Sequence, residues 1–237
     1  MRGIRCAFVV LLAALVIQNL LPHYVRAQDS SSSRPPVRFA KEIEAFLEED
    51  KVDPPPKNAI LFIGSSTFVR WTHVSGQMAP LPAFNRAFGG SRTHEVLYYM
   101  DKIVLPYDPR IIVYYCGSND IAGGVNPKTV LSNFTAFCAT VRSSLPASKI
   151  FFVSIVKAPS RMARWGAMDS ANTMISKYCR STENLAFIEI NPILVDSGGK
   201  PRTELYLDDM LHFKDPAYLE LTAAIKPVLE KAWKTMH

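Results

Sequence analysis

The hydrophobic and polar positions of this chain alternate between short apolar runs and longer segments in which apolar residues recur every three or four positions. Three runs, at residues 60–63, 110–115 and 150–155, are apolar apart from Arg110 and Ser154 and show no alternation. A weaker run at residues 83–88 and a partly alternating run at residues 185–190 complete a set of five. Short runs of this kind are typical of strands buried on both faces, so the pattern predicts a five-stranded parallel sheet.

The segments between these runs predict helices, because their apolar residues recur at helical spacing and proline marks several of their ends. The predicted helices cover residues 39–47, 93–105, 127–145 and 162–181, and a terminal helix begins at Asp215-Pro216 with Asp215 as its cap. Residues 71–82 are predicted to form a loop. Strands alternating with helices indicate an α/β domain with helices on both faces of the sheet, and such sheets bind ligands at the carboxyl ends of their strands.

The N-terminus has the pattern of a targeting segment. Two arginines precede an apolar run over residues 7–17, and a small-residue cleavage site follows at Ala27. We therefore expect residues 1–27 to be a cleaved signal peptide, residues 28–36 a flexible linker and residues 37–237 the folded domain. The alternative is an uncleaved membrane anchor, which the shortness of the run and its two amides disfavour. The sequence thus predicts a secreted or extracytoplasmic protein without stable membrane insertion after cleavage.

The charge and the length of the chain limit the classes of protein to which it can belong. A length of 237 residues, 48% hydrophobic and 20% charged, suits one sizeable domain with a full core. The formal net charge of +6 falls to +3 without the three arginines of residues 1–27, and no basic stripe remains. So mild a charge argues against nucleic acid as a partner.

Secretion would allow two covalent modifications. Cleavage would leave Cys116, Cys138 and Cys179, an odd number whose spacing fits no zinc motif. We expect three buried free thiols, with a Cys138–Cys179 bridge between neighbouring helices as the alternative. The sequon at Asn133 is a candidate glycosylation site, although its helix also carries core residues, so its accessibility is left open.

The stretch from residue 60 to residue 71 holds the first candidate for chemistry. Its apolar run ends at Gly64, and Ser65, Ser66 and Thr67 are all residues that favour helix N-termini. A strand that turns sharply into a helix at this point exposes one serine hydroxyl at the carboxyl edge of the sheet. That serine is a candidate nucleophile, and an ordinary helix cap is the alternative.

A nucleophilic serine needs a base, which is usually a histidine oriented by a carboxylate. His212 follows Asp209 by three residues, so one turn can bring the carboxylate to the ring. The alternative is a surface histidine beside acidic residues. His73 and His94 lie in no recognisable motif, and His237 ends the chain.

Four motifs at the predicted strand ends resemble a known family. GSST around Ser66, NRAFGGS around Gly90, GSND at residues 117–120 and DMLH at residues 209–212 are similar, in order and spacing, to the signature blocks of the SGNH (GDSL-type) hydrolases. The resemblance covers residues 37–235 and is closest to the platelet-activating-factor acetylhydrolase-like branch. It implies a three-layer α/β/α flavodoxin-like SGNH hydrolase fold with a five-stranded parallel sheet.

The resemblance also implies roles for individual residues. Ser66 would be the nucleophile, His212 the base and Asp209 the residue that orients it. The oxyanion hole would consist of the backbone N–H groups of Ser66 and Gly90 and the side-chain amide of Asn119. No metal and no cofactor are implied.

One position departs from the family pattern. The family often has Asp before the nucleophile, where this chain has Ser65, so two adjacent hydroxyls compete for the role; the alignment favours Ser66. Asp120 is expected to brace its loop rather than react, and an Asx-turn is the alternative role for Asn119.

We therefore expect a secreted serine esterase that hydrolyses short-chain acyl esters, above all acetyl esters, of a small-molecule, glycan or lipid substrate through an acyl-enzyme. The alternatives are an O-acetyltransferase or a lysophospholipase with the same triad. An alternative of a different class is a catalytically silent carbohydrate-binding or surface protein with the same fold.

Overall fold

A computed structural model describes residues 37–236 of the chain. The predicted signal peptide, the predicted linker and His237 lie outside the described residues. The described residues contain one sheet of five parallel strands in the order β2-β1-β3-β4-β5. The strands are β1 (Ile60–Gly64), β2 (Ala83–Asn85), β3 (Ile111–Tyr115), β4 (Lys149–Val153) and β5 (Leu185–Ile188).

Eight α-helices accompany the sheet in this part of the chain. They are α1 (Ala40–Val52), α2 (Ser66–Val69), α3 (Val74–Met78), α4 (Thr93–Ile103), α5 (Ser118–Ala122), α6 (Pro127–Ser144), α7 (Trp165–Arg180) and α8 (Asp215–Lys234). Within residues 37–236, no helix combines the length and the hydropathy that a membrane crossing needs.

The two faces of the sheet are covered by different helices. Leu61, Ile63 and Tyr114 belong to a core shared with α1, α4, α6 and α7. Ile60 and Phe62 point the other way, into a core shared with α2, α3 and α8. Successive residues of one strand thus meet apolar layers on opposite sides, which explains the unbroken apolar runs. The predicted three-layer α/β/α fold with a five-stranded parallel sheet is confirmed.

Several predicted boundaries were wrong. The predicted loop at residues 71–82 contains α3, and the segment predicted as a strand at residues 83–88 is a regular strand only over Ala83–Asn85. The segment predicted as one helix from residue 162 begins as a 3-10 helix, Pro159–Arg164, followed by α7. Asp215 is the first residue of α8 rather than its cap. Helix and strand ends depend on tertiary hydrogen bonds, which apolar spacing does not record.

The strand order creates a switch point between β1 and β3. The chain leaves β1 for β2 on one side and then returns past β1 to β3 on the other. The helices that follow β1 pack on one face of the sheet, whereas α6, which follows β3, packs on the opposite face. The connections diverge at this point and leave a crevice at the carboxyl ends of β1 and β3, where sheets of this type bind ligands.

The three cysteines of the described residues are all buried and unbridged. Cys138 on α6 and Cys179 on α7 lie in the same core, as expected for helices that follow β3 and β4. Burial raises the pKa of the Cys179 thiol to about 12. The thiolate, which is the reactive form, is therefore strongly disfavoured.

Asn133, the predicted glycosylation site, lies on α6 and is half-buried. Its side-chain amide donates a hydrogen bond of 2.9 Å to Thr93 Oγ1 on α4. Attachment of a glycan at this nitrogen would therefore have to precede the packing of α6 against α4.

The burial of the thiols predicts the outcome of a titration. In the chain that spans residues 28–237, we expect slow reaction of Cys116, Cys138 and Cys179 with a thiol reagent in the native state. After denaturation without reductant, three thiols should react. A count of one after denaturation would instead establish the Cys138–Cys179 bridge.

Candidate active site

The turn after β1 exposes Ser66 because of the glycine before it. Gly64 has a φ of +136°, and a Cβ at this position would lie 1.8 Å from the carbonyl oxygen of Tyr115 on β3. Only glycine tolerates such an approach. The N–H of Ser65 then donates to the same carbonyl at 3.0 Å, and α2 begins at Ser66. The N–H of Ser66 has no intrahelical acceptor, because it belongs to the first turn of a helix.

The structure brings Ser66, His212 and Asp209 into a single hydrogen-bonded line. The hydroxyl oxygen of Ser66 lies 3.1 Å from His212 Nε2, and His212 Nδ1 lies 2.6 Å from Asp209 Oδ2. A carboxylate only accepts hydrogen bonds, so a neutral His212 carries its proton on Nδ1. Nε2 is then left with a lone pair that faces the Ser66 hydroxyl. Ser65 makes no such contact.

The loop that carries Asp209 and His212 is closed by local hydrogen bonds. The N–H of Leu207 donates to the carbonyl of His212 at 2.8 Å. Asp209 Oδ1 accepts the N–H groups of Leu211 and His212, both at 2.9 Å, while its Oδ2 faces the imidazole. The backbone N–H of His212, followed by its ring, lowers the pKa of Asp209 to about 2. The carboxylate is therefore ionised throughout the neutral range.

A second loop brings Gly90 to the same edge of the sheet. Gly90 has a φ of +75°, and its carbonyl accepts a hydrogen bond of 2.8 Å from Arg38. The hydroxyl of the next residue, Ser91, donates to the carbonyl of Gly64 at 3.0 Å. These contacts tie the loop after β2 to the end of β1.

Asn119, at the start of α5, contacts both of these neighbouring segments. Its Nδ2 donates to Ser65 Oγ at 2.8 Å and to the Ser91 carbonyl at 3.1 Å. Its Oδ1 accepts from Arg161 at 2.8 Å. Because a guanidinium only donates and a carbonyl only accepts, these partners fix which side of the amide carries the nitrogen.

Asp120 is fully buried and holds the loop rather than facing the cleft. Its carboxylate accepts the N–H of Thr93 at 3.1 Å and the Thr93 hydroxyl at 2.6 Å. Burial raises the pKa of Asp120 above its ordinary value. These contacts agree with the expected bracing role.

A small cleft lies beside Ser66 and contains about 270 Å³ of open space, its mouth included. Its apolar wall consists of Tyr115, Val156, Ala158 and Leu211. Arg161 also lines it, although it belongs to none of the four sequence motifs. The strand-end rule could have found it, because the segment after β4 reaches the same edge of the sheet as those after β1 and β3.

The other histidines of the described residues lie elsewhere. His73 and His94 are exposed and do not line the cleft. Among residues 37–236, no three His, Cys, Asp or Glu side chains are grouped so that they could hold a metal ion.

Solved structures share this fold. A protein from Streptococcus pneumoniae described as a platelet activating factor has a TM-score of 0.72 at 21% identity, covering 80% of this chain and 92% of its own. A GDSL-like lipase from Bacteroides thetaiotaomicron has a TM-score of 0.69 at 20% identity, covering 80% and 98%. A carbohydrate esterase family 3 protein from Talaromyces cellulolyticus has a TM-score of 0.60 at 15% identity, covering 75% and 98%.

Comparison with curated protein sequences gave no match. By contrast, the sequence profile of the GDSL-like lipase/acylhydrolase family matches residues 60–219, which include all four motifs. The chain therefore belongs to the GDSL-like lipase/acylhydrolase family, and it is an SGNH-type hydrolase of carboxylic esters.

Proposed function

We propose that this protein is a secreted serine esterase that hydrolyses short-chain acyl esters, above all acetyl esters, through an acyl-enzyme. The observation that carries the proposal is the 3.1 Å contact between Ser66 Oγ and His212 Nε2, with Asp209 behind the imidazole. A base within hydrogen-bonding distance of a serine, and oriented by a third group, is what activates a serine nucleophile.

The reaction would begin with attack of Ser66 Oγ on the ester carbonyl carbon while its proton passes to His212 Nε2. Collapse of the tetrahedral intermediate breaks the bond to the alcohol, which leaves with the proton from His212. A water molecule then gives its proton to the same nitrogen and attacks the acyl-serine. A second collapse releases the carboxylic acid and returns the proton to Ser66.

Charge on the carbonyl oxygen would be stabilised by the N–H groups of Ser66 and Gly90 and by the Asn119 amide. Removal of one such donor typically costs on the order of 3 kcal/mol of transition-state stabilisation. The glycine suits this role because a missing Cβ lets the backbone come close to a substrate.

Asp209 would hold the imidazole and stabilise its protonated form. Its pKa in the folded protein, about 2, lies below the ordinary value of 3.8. The ionised carboxylate and its contact with His212 are therefore present above the ordinary pKa and are lost only as the pH falls through about 2. Protonation of Asp209 thus would not limit activity in the mildly acidic or neutral range.

The size of the cleft supports a short acyl group. Pockets for drug-sized ligands enclose roughly 300–1,000 Å³, whereas the cleft beside Ser66 has a cavity volume of only about 10 Å³. So small a cleft, lined by Tyr115 and Leu211, has no enclosed room for a long acyl chain, which would have to extend into solvent. Secretion rests on the N-terminal sequence pattern of residues 1–27.

The nucleophile can be tested with p-nitrophenyl acetate. We expect Ser66→Ala to lower kcat by about 1,000-fold or more, because no second hydroxyl contacts His212. The matched variant Ser65→Ala should stay within about tenfold of the wild type, since Asn119 keeps its contact with Ser91. An inactive Ser65→Ala beside an active Ser66→Ala would reverse the assignment of the two serines.

The variant Asp209→Asn tests the contact of Asp209 with the His212 ring apart from its contacts with the backbone of the loop. The amide oxygen can still accept the N–H groups of the loop, but an NH₂ facing His212 Nδ1 favours the wrong tautomer. We expect kcat to fall by about 100-fold or more, with thermal stability nearly unchanged. Asp208→Asn, at the exposed neighbouring carboxylate, serves as the control. Equal kcat values for the two variants would argue against a role for Asp209.

One panel of substrates can identify both the preferred acyl group and the class of substrate. With p-nitrophenyl esters of increasing chain length, kcat/KM should be highest for acetate and should fall steadily beyond butyrate. Acetylated sugars and glycans, phospholipids and lysophospholipids, and acyl acceptors other than water then distinguish an esterase from a lysophospholipase or an acyltransferase. A maximum at long chains would contradict the short-acyl proposal, and no turnover of any ester would contradict the esterase itself.

A further inference from the structure

Arg161 is a cation in the wall of the cleft. It lies in the 3-10 helix Pro159–Arg164, which follows β4, and its side chain is half-buried. Its Nη1 donates to Ser118 Oγ at 2.6 Å and its Nη2 donates to Asn119 Oδ1 at 2.8 Å. Among the residues that the structure describes, no carboxylate lies within 4.0 Å of this guanidinium, which sets it apart from Arg86 and Arg202.

We propose that Arg161 is a positioning residue for ester hydrolysis, which orients and polarises the Asn119 amide so that its Nδ2 donates more strongly to the developing oxyanion, once the N–H that is bound to Ser65 Oγ turns to the substrate. This inference rests on the proposed function, in which Asn119 is one of the oxyanion donors. Arg161 acts through Asn119 and does not itself need to touch the substrate.

The contacts of Asn119 explain the orienting effect. Its two N–H bonds point to Ser65 Oγ and the Ser91 carbonyl, whereas Arg161 supplies the hydrogen bond to its oxygen. Without the guanidinium, that oxygen would lose its donor in the protein. Only the Ser91 carbonyl would then oppose a turn of the amide that presents oxygen, rather than nitrogen, to a negatively charged intermediate, where it would repel the charge.

The polarising effect on the Asn119 amide follows from the positive charge of the Arg161 guanidinium. A hydrogen bond from a cation draws electron density toward the amide oxygen and makes the N–H groups of the same amide more acidic, so successive bonds strengthen one another. The half-buried position of Arg161 keeps water from screening this effect fully. Stabilisation should grow as the carbonyl oxygen becomes an anion, so it should raise kcat rather than lower KM.

A purely structural role for the Arg161 side chain has less support. The same 3-10 helix does contact the loop of His212, but it does so through the backbone N–H of Ser160, which donates to the Met210 carbonyl at 3.0 Å. Replacing the side chain of Arg161 leaves that backbone hydrogen bond in place. Direct binding of an acidic group of the substrate is the other role that a free cation could have, and the experiment separates it from positioning.

The test is a double-mutant cycle between Arg161→Met and Asn119→Ala, with p-nitrophenyl acetate as substrate. Asn119→Ala alone should lower kcat by roughly 100-fold. Arg161→Met alone should lower kcat by about tenfold or more, with KM within about twofold of the wild type. In the Asn119→Ala background, Arg161→Met should change kcat by less than about twofold, because the residue through which it acts is gone.

Two further variants complete the design. Arg161→Lys keeps the charge but cannot reproduce the two-nitrogen contact with Ser118 and Asn119, so we expect partial recovery of kcat relative to Arg161→Met. It can be used in the same cycle if Arg161→Met does not fold. Arg164→Met removes an exposed cation from the same 3-10 helix and should leave kcat unchanged.

The outcomes distinguish the proposals. If the fold-losses of kcat in Arg161→Met and Asn119→Ala multiply in the double variant, Arg161 acts independently of Asn119. That result would overturn the inference. A rise in KM at unchanged kcat would overturn it in favour of substrate binding, and an unchanged kcat in Asn119→Ala would remove the residue on which it depends. Activity that survives Ser66→Ala would instead refute the proposed function, whatever Arg161 does.

Discussion

The site depends on how closely the ends of β1 and β3 approach each other. At Gly64 the backbone passes so near to the carbonyl of Tyr115 that a Cβ would lie only 1.8 Å from it. No side chain fits there, and the positive φ of the glycine, +136°, ends β1 and turns the chain sharply into α2. Ser66 is thereby exposed beside the segment that follows β3, which carries Asn119. A larger residue at position 64 would force the two strands apart and separate these side chains.

The polar groups around this turn form two assemblies of different origin. The one that holds His212 is local, since Asp209 lies only three residues before it and contacts both its ring and its backbone N–H. The one around Asn119 is assembled over long distances, with Ser65 54 residues before it and Arg161 42 residues after it. Long-range assemblies of this kind require the whole sheet to be in place, which ties the chemistry of the site to the fold.

Most of the fold could be predicted from the sequence. The largely apolar runs at residues 60–63, 110–115 and 150–155 identify strands that are buried on both faces, because helices cover both faces of the sheet. The ends of elements were less accurate. Helix α3, Val74–Met78, is short and joined to its surroundings by contacts with α8 and β2, so its five residues carry no clear period of their own.

The candidate site likewise has features that the sequence determined and features that only the tertiary structure decided. The sequence by itself determined the Gly-Ser-Ser turn and the spacing of Asp209 and His212, because backbone conformation and local hydrogen bonds depend on adjacent residues. The family resemblance favoured Ser66 over Ser65, but tertiary structure alone brings Ser66 to His212 across 146 residues and Arg161 to Asn119. Strand order and sheet register fix those distances, and they are settled by the packing of two apolar layers rather than by any single segment.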